Sequence, residues 1–318
     1  MPESRQVWLN GKLVDERSAT VSVFDRGFLF GDGIYELVRF FRCGPSVGQR
    51  RFGVGMDLHI VRLRRSLALA RISGFDAGSL PSICEAILDA NDLDDAAVYL
   101  QVTRGAGTAR SHIPVGSLVP TVFASATACE PIERFTEPAS VRAVVREDLR
   151  WSLCQIKTLS LMGNILALLD ADEHGASEAI LHREGMVSEG AYTNVFIVRG
   201  DELITPPVDD DPPILHGVTR MEVIESAADA GLQARVRPLS LSELRSADEV
   251  VITSSRRLVS AVVEIDGDKI GDGAPGRAAR SLFAALRQRI ARATGTEAAA
   301  GLAPSSPLQL TPVPRTHA

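Results

Sequence analysis

Lysine is scarce in this 318-residue chain: of 34 basic residues, only Lys12, Lys157 and Lys269 are lysine and the rest are arginine. Cysteine is nearly as rare. Cys43, Cys84, Cys129 and Cys154 stand far apart and form no C-x-x-C pair. That excludes a disulfide framework and a thiolate zinc site, and suits a reducing cytoplasm. There is no basic excess: 34 Lys+Arg against 40 Asp+Glu leave a net charge of −6. A general binder of nucleic acid or anionic membrane needs the opposite sign. No apolar run reaches the about 18 residues of a membrane-spanning helix. The opening MPESRQVWLN has no apolar stretch of the kind a signal peptide carries. What remains is an ordinary globular balance, 45% hydrophobic and 23% charged.

Periodicity organises the chain into two α/β lobes and a tail. Val7 to Val14 reads as a hairpin about Asn10-Gly11. DRGFLFGDG, residues 25–33, reads as a glycine-punctuated loop before a strand from Ile34 to Phe41. Residues 42–56, with several glycines and a proline, read as a flexible insertion. Ile60, Leu63, Leu67 and Ala70 share a helix face. A helix over Ile83–Ala90 and strands at Val98–Val102 and Thr121–Ser125 follow, then a linker over 129–139. Beyond it, Val141–Val145 and Trp151–Lys157 read as extended. Leu161, Ile165, Leu168 and Asp172 predict a helix ended by Gly175. Strands are predicted at Glu178–His182, Asn194–Val198, Val250–Thr253 and Val259–Ile265, with Asp266-Gly267 as a turn. Helices are predicted at Thr219–Ala230 and Gly276–Ala291. The Ala/Pro/Ser/Thr-rich remainder has no pattern and reads as disordered. The divisions are 1–130, 131–290 and the tail 291–318.

Lys12 and Lys269 follow turns and read as solvated. Lys157 ends WSLCQIK and precedes the apolar LSLMGNILALLD. An apolar setting lowers an amine's pKa and makes it a nucleophile of the Schiff-base kind. On context alone, a strand-end lysine reaching solvent is the slightly better reading. Gly217-Val218-Thr219-Arg220 opens a helix and could seat an anion, although Thr219 and Glu222 also spell a capping box. Ser254 and Ser255 could add donors to the same anion, or be turn residues. Arg110 and His112, two apart, could clamp a carboxylate or belong to a charged loop. Glu189 could hold a pyridinium nitrogen or be an exposed turn glutamate. Arg62 interrupts an apolar helix face, and points either to water or to an internal anion.

Taken together, these residues resemble a family. VFDRGFLFGDGIYELVRFF, LHIVRL, YLQVTRGAGTARSHIP, RWSLCQIKTLSLMGN, EAILHREGMVSEGAYTNVF, ILHGVTR, VVITSS and VVEIDGD occur in order from about Val7 to Leu286. They are similar to the class IV, fold-type IV pyridoxal-phosphate aminotransferases, most closely the D-amino-acid transaminases. The resemblance implies a two-domain α/β enzyme, with a small N-terminal domain and a larger C-terminal pseudo-barrel. It makes Lys157 the Schiff-base lysine and proton shuttle, and Glu189 the partner of the pyridine nitrogen. It assigns Arg62, Val218, Thr219 and Ser255 to the phosphate, with Ser254 assisting and Leu215 against the ring. Tyr35, Arg110 and His112 would hold the substrate α-carboxylate, the last two reaching across a homodimer. The implied reaction moves an amino group from a D-amino acid such as D-alanine to a 2-oxo acid such as 2-oxoglutarate. A branched-chain L-amino-acid aminotransferase, an aminodeoxychorismate lyase and a non-catalytic relative are the alternatives. No metal, nucleic acid or membrane is implied. Four features depart from the family pattern: the length of 42–56, Tyr192 in place of a small hydroxyl residue, the spacing through PPVDDDPP, and the tail.

Overall fold

Asn10 and Gly11 both adopt positive φ, 49° and 89°. That backbone turns a right-twisted ribbon tightly, so β1 (Gln6–Leu9) pairs antiparallel with β2 (Lys12–Asp15). The computed structural model describes residues 5–210 and 213–296. The expected loop over 25–33 instead holds a one-turn helix, α1 (Arg26–Phe30). Asp25 caps it by accepting from Gly27 N, and Gly31 at φ 65° ends it. β3 (Gly33–Arg42) follows. The expected flexible insertion is in fact a hairpin, with β4 (Arg51–Gly53) laid antiparallel on β3. Arg51 explains why: it is buried and bonds Leu93 O, Glu85 and Asp89. Then come α2 (Met56–Leu69), α3 (Leu80–Ala90), β5 (Ala96–Thr103) and β6 (Val122–Ala128).

These six strands form one antiparallel sheet in the order β2-β1-β6-β5-β3-β4. Ile34, Val38 and Leu100 on one sheet face pack with Leu63, Leu67, Ile83 and Ile87 of α2 and α3. The opposite face of β3 carries Tyr35, Leu37 and Arg39, because side chains alternate along a strand.

The second sheet begins at β7 (Ala139–Glu147), after a single turn of 3₁₀ helix at Ile132–Arg134 in the expected linker. The stretch Trp151–Lys157 is not a strand. It lies in turns, and only at 157–159 does the chain meet β3, through Tyr35 N to Lys157 O and Leu159 N to Gly33 O. Residues 151–156 have no neighbouring strand, so the apolar alternation there has no ladder to join. α4 (Met162–Glu173), β8 (Glu178–Arg183), β9 (Met186–Gly190), β10 (Asn194–Arg199) and β11 (Glu202–Thr205) follow. α5 (Val218–Ser226) stops short of the predicted Ala230, the chain turning at Gly231 with φ 74°. β12 (Gln233–Val236), α6 (Leu241–Arg245), β13 (Glu249–Ser254), β14 (Leu258–Ile265) and β15 (Asp268–Lys269) complete the sheet. α7 (Arg277–Thr294) runs past the expected Ala291, so the predicted tail begins inside a helix; its part beyond Thr296 lies outside the described residues.

The order is β12-β11-β10-β13-β14-β7-β8-β9, with β15 on β14, in a mixed, curled sheet. β11–β12, β14–β7 and β7–β8 are parallel. One core joins Phe196, Val251 and Ala261 to Leu282 and Phe283 of α7 and Val223 of α5. Another joins Val141, Ile180, Ile197 and Val250 to Leu244 of α6. Among the described residues no helix is long and apolar enough to cross a membrane.

Candidate active site

Lys157 leaves the irregular 151–157 segment where that segment meets β3. Its Nζ lies 4.2 Å from the centre of the Tyr35 ring. Its backbone N–H donates to Ser66 Oγ of α2 at 3.2 Å. Lys157 lines a wide cavity of about 890 Å³ and a smaller one of about 70 Å³, and Tyr35, Tyr192, Asn194 and Leu215 also line both. Residues from both sheets therefore converge on this amine.

Glu189 faces the smaller cavity from β9, not from the exposed turn that SEGAYTN suggests. Its Oε1 accepts from Arg150 Nη1 at 2.9 Å. Its Oε2 accepts from Asn194 Nδ2 at 3.2 Å and Leu215 N at 3.0 Å. Burial pushes the Glu189 carboxyl up, and the Arg150 guanidinium opposes that. Arg150 is itself clamped by both oxygens of Asp148 at 2.9 Å, and Ser188 Oγ donates to Asp148 at 3.1 Å. Burial would raise Asp148, yet Arg150 and Arg183 hold it below the usual carboxylate range. Arg150 and Asn194 position Glu189, and neither was singled out from the sequence. Nothing local marks them; they matter only once β9 and β10 lie beside the 148–150 turn.

Arg62 is buried on α2 and every nitrogen of its guanidinium is engaged. Nε and Nη2 donate to Glu36 at 2.9 and 2.7 Å, and Nη1 donates to His216 O at 2.9 Å. His59 Nδ1 lies 2.6 Å from the same Glu36 carboxylate. Burial would raise Glu36, but Arg62 and His59 hold it far below the ordinary carboxylate range. Glu36 did leave a trace in the sequence: it shares the inward register of Ile34 and Val38, where a carboxylate demands a buried cation.

Through His216, Arg62 touches the segment that starts α5. The N-cap of α5 is Gly217 and no side chain caps it. Thr219 is therefore inside the helix, not its cap, and the T-x-x-E reading fails: Glu222 pairs with Arg289 instead. A Cβ at Gly217 would overlap Asn194 Oδ1, so only glycine fits there. Val218 and Thr219, with Ser254 and Ser255 from the end of β13, line the same wide cavity as Arg62 and Lys157. Arg220 beside them is buried, and donates to Thr205 Oγ1 at 3.2 Å and Pro206 O at 2.9 Å. Burial pushes its guanidinium down to about 10.

Arg110 and His112 are not brought to this cavity by their own chain. Both are exposed and sit on Phe30, the guanidinium 5.0 Å and the imidazole 5.5 Å from its ring centre. Arg26 holds their loop by donating to Ser111 O at 2.6 Å and His112 O at 2.9 Å.

The donor set suits a phosphorylated pyridine aldehyde. An uncapped helix start, two serines and Arg62 surround one end of the cavity, where a phosphate's charge would be met by free N–H groups. Thr253 Oγ1, on the cavity wall, is buried with no partner. In the smaller cavity, which Lys157 also lines, the buried Glu189 carboxylate raised by desolvation gains from a protonated ring nitrogen.

The sequence profile described as amino-transferase class IV matches residues 33–265. The chain belongs to that family, whose members are pyridoxal-phosphate-dependent aminotransferases of fold-type IV. It is 36% identical to D-alanine aminotransferase of Bacillus licheniformis, over 90% of this chain and 97% of that one. It is 33% identical to D-alanine aminotransferase of Staphylococcus haemolyticus, over 87% and 95%. Among solved structures, the branched-chain aminotransferase of Thermoproteus uzoniensis with norvaline superposes with a TM-score of 0.78 at 27% identity. It covers 92% of this chain and 96% of its own.

Proposed function

We propose that the protein is a D-amino-acid transaminase that moves an amino group from a donor such as D-alanine to a 2-oxo acid such as 2-oxoglutarate. The observation that carries this reading is the place of Lys157, which shares the smaller cavity with Glu189 and the wide one with Arg62, Val218, Thr219 and Ser255. The relatives named D-alanine aminotransferase supply the handedness. Bound there, pyridoxal 5′-phosphate supplies the carbon that takes up the amino nitrogen and the ring that draws electrons from the substrate Cα. Lys157 is the attachment point and the amine that moves the α-proton. Glu189, steadied by Arg150, keeps the ring nitrogen protonated. Arg62, Val218 N, Thr219 and Ser255 hold the phosphate, and Ser254 assists. Leu215 and Tyr35 wall off water beside the reacting carbon.

Tyr35 and, from a second subunit, the residues at positions 110 and 112 hold the α-carboxylate. Which face of Cα meets Lys157 follows from where that carboxylate is held, and so does the choice of enantiomer. A homodimer is supported by apolar side chains left exposed around these loops: Phe28, Ile113, Val115 and Val119. We read 1–130 and 131–290 as the two domains, because the two sheets divide there, and the cytoplasm as the compartment.

A branched-chain L-amino-acid aminotransferase is the second reading, favoured by the likeness to the Thermoproteus uzoniensis enzyme. Product formation from D-alanine, L-leucine and aminodeoxychorismate, each offered to the loaded enzyme, separates the readings. Turnover of D-alanine with 2-oxoglutarate is the expected result. Brisk L-leucine turnover with inert D-alanine would reverse the assignment.

A further inference from the structure

Arg39, Arg256 and Arg257 line the wide cavity, and none has an ion-pair partner among the described residues. Arg51 and Arg62, both buried, and the half-buried Arg150 each hold a carboxylate, while the buried Arg220 donates to neutral oxygens, Thr205 Oγ1 and Pro206 O. Arg39 is 2% exposed, yet its Nε has no partner. Its Nη2 donates to Glu130 O, and its plane lies on the Phe41 and Phe135 rings, 4.6 and 5.7 Å from their centres. Burial pushes its guanidinium down to about 10; Asp95 opposes that shift and Arg256 adds to it. Arg257 Nη1 is likewise buried and without a partner, and its guanidinium lies 5.7 Å from the centre of the Tyr192 ring. Two carboxylates share the cavity wall, Glu130 and Glu137. Both are exposed, and Arg280 already holds Glu137 at 2.9 Å.

The strand places these cations relative to the reacting atoms. Tyr35 touches Lys157, and Arg39 lies four residues further along the same face of β3, about 13 Å away at the usual strand rise. A substrate held at Lys157 extends its side chain along that face. A desolvated, unpaired guanidinium is costly, and a carboxylate that it grips through two N–H groups removes the cost.

We propose that Arg39, Arg256 and Arg257 form a subsite for the distal carboxylate of a dicarboxylic amino acid or 2-oxo acid. This rests on the transaminase reading for the position of the reacting carbon, and it assigns recognition of the diacid member of the substrate pair, such as 2-oxoglutarate, to these arginines. Tyr192 serves as the floor on which Arg257 lies, in place of the small hydroxyl residue of the family pattern.

The test uses acids that cannot react. Glutarate and adipate, against valerate and hexanoate of equal length, are titrated calorimetrically into the cofactor-loaded full chain. The diacids should bind roughly tenfold more tightly, the value of one good charged hydrogen-bonded contact. Arg257→Met and Arg39→Met should each reduce that preference to about twofold while valerate affinity holds, and Arg257→Lys should restore part of it. Equal affinities for diacid and monoacid would overturn the subsite. So would a preference that survives both methionine variants, or a parallel loss for both acids. Because no amino group moves, the result does not depend on which enantiomer is turned over. A diacid preference in a protein inert toward D-amino acids keeps the subsite and discards the D-specific reading.

Discussion

On the wall of the wide cavity, Arg62 has a partner on every guanidinium nitrogen, while Arg39 Nε and Arg257 Nη1 have none. Arg62 lies on α2, Arg39 on β3 and Arg257 in the turn between β13 and β14, and all three border the cavity of Lys157. The difference lies in what sits behind them. Arg62 faces Glu36 and His59 on the buried side of β3, a network that keeps its charge and direction fixed. Arg39 faces aromatic rings and one backbone carbonyl, and Asp95 and Glu130 act on its charge only from beyond ion-pair distance. A saturated network suits a group that stays bound through many turnovers. An unsaturated one suits ligands that come and go, because each brings its own anion. The Arg150–Glu189 pair belongs with the first kind: Glu189 is held from three directions before any ring nitrogen arrives.

Four measurements would break or sharpen that contrast. The largest effect should come from Lys157→Ala, which removes the amine common to both cavities. Amino transfer should fall by about 10⁴-fold, the scale of losing a positioned base and nucleophile together, and reduction with borohydride should no longer fix cofactor to the chain. Next, Arg62→Met leaves the fully buried Glu36 without its main cation. Denaturant titration should show a loss of about 3–5 kcal/mol, as for breaking a buried pair, and cofactor should dissociate more readily. Arg39→Met, with no carboxylate to strand, should cost far less in the same titration; equal losses would erase the contrast.

The third effect is one of pH. Burial raises the Glu178 carboxyl to about 7 from an ordinary 4.5, against hydrogen bonds from Thr193 Oγ1, Ala179 N and Ala191 N. Its folded pKa exceeds the unfolded one, so the unfolded chain gives up the proton first as pH rises. Stability should therefore fall between about pH 4.5 and 7, by up to about 3 kcal/mol, and then level off. Glu178→Gln should flatten that stretch of the curve; an unchanged slope in melting experiments would refute the assignment. Smallest is Glu189→Gln, which keeps the shape but removes the charge and sets an amide N–H against the donors at one of the two oxygen positions. Turnover should drop roughly a hundredfold with the fold intact, the usual scale of losing one preorganised electrostatic contact.

Lys157 was legible in the sequence because lysine is scarce and its two companions both follow turns. The Asn10-Gly11 hairpin was legible because both residues tolerate positive φ. Thr219 was misread. A T-x-x-E spacing caps a helix only when Thr is the first residue outside it, and Gly217 holds that place. Glu189 looked like a turn residue because Gly190 follows it, while β9 gains its strand character from pairing with β8 across a bulge. The insertion at 42–56 looked flexible because its composition hides Arg51, whose three buried bonds only the folded chain supplies. Arg39 gave no signal at all. A cation in a strand reads as solvated, and only the Phe41 and Phe135 rings around it show otherwise.

The most direct measurement is a titration of the cofactor-loaded protein with D-alanine and, separately, L-leucine, following the visible absorbance of the bound cofactor. Loss of that absorbance with D-alanine and not with L-leucine is the outcome a D-specific site built on Lys157 requires. Loss with L-leucine alone would leave Lys157 and Glu189 in place and contradict the roles given to Tyr35, Arg110 and His112.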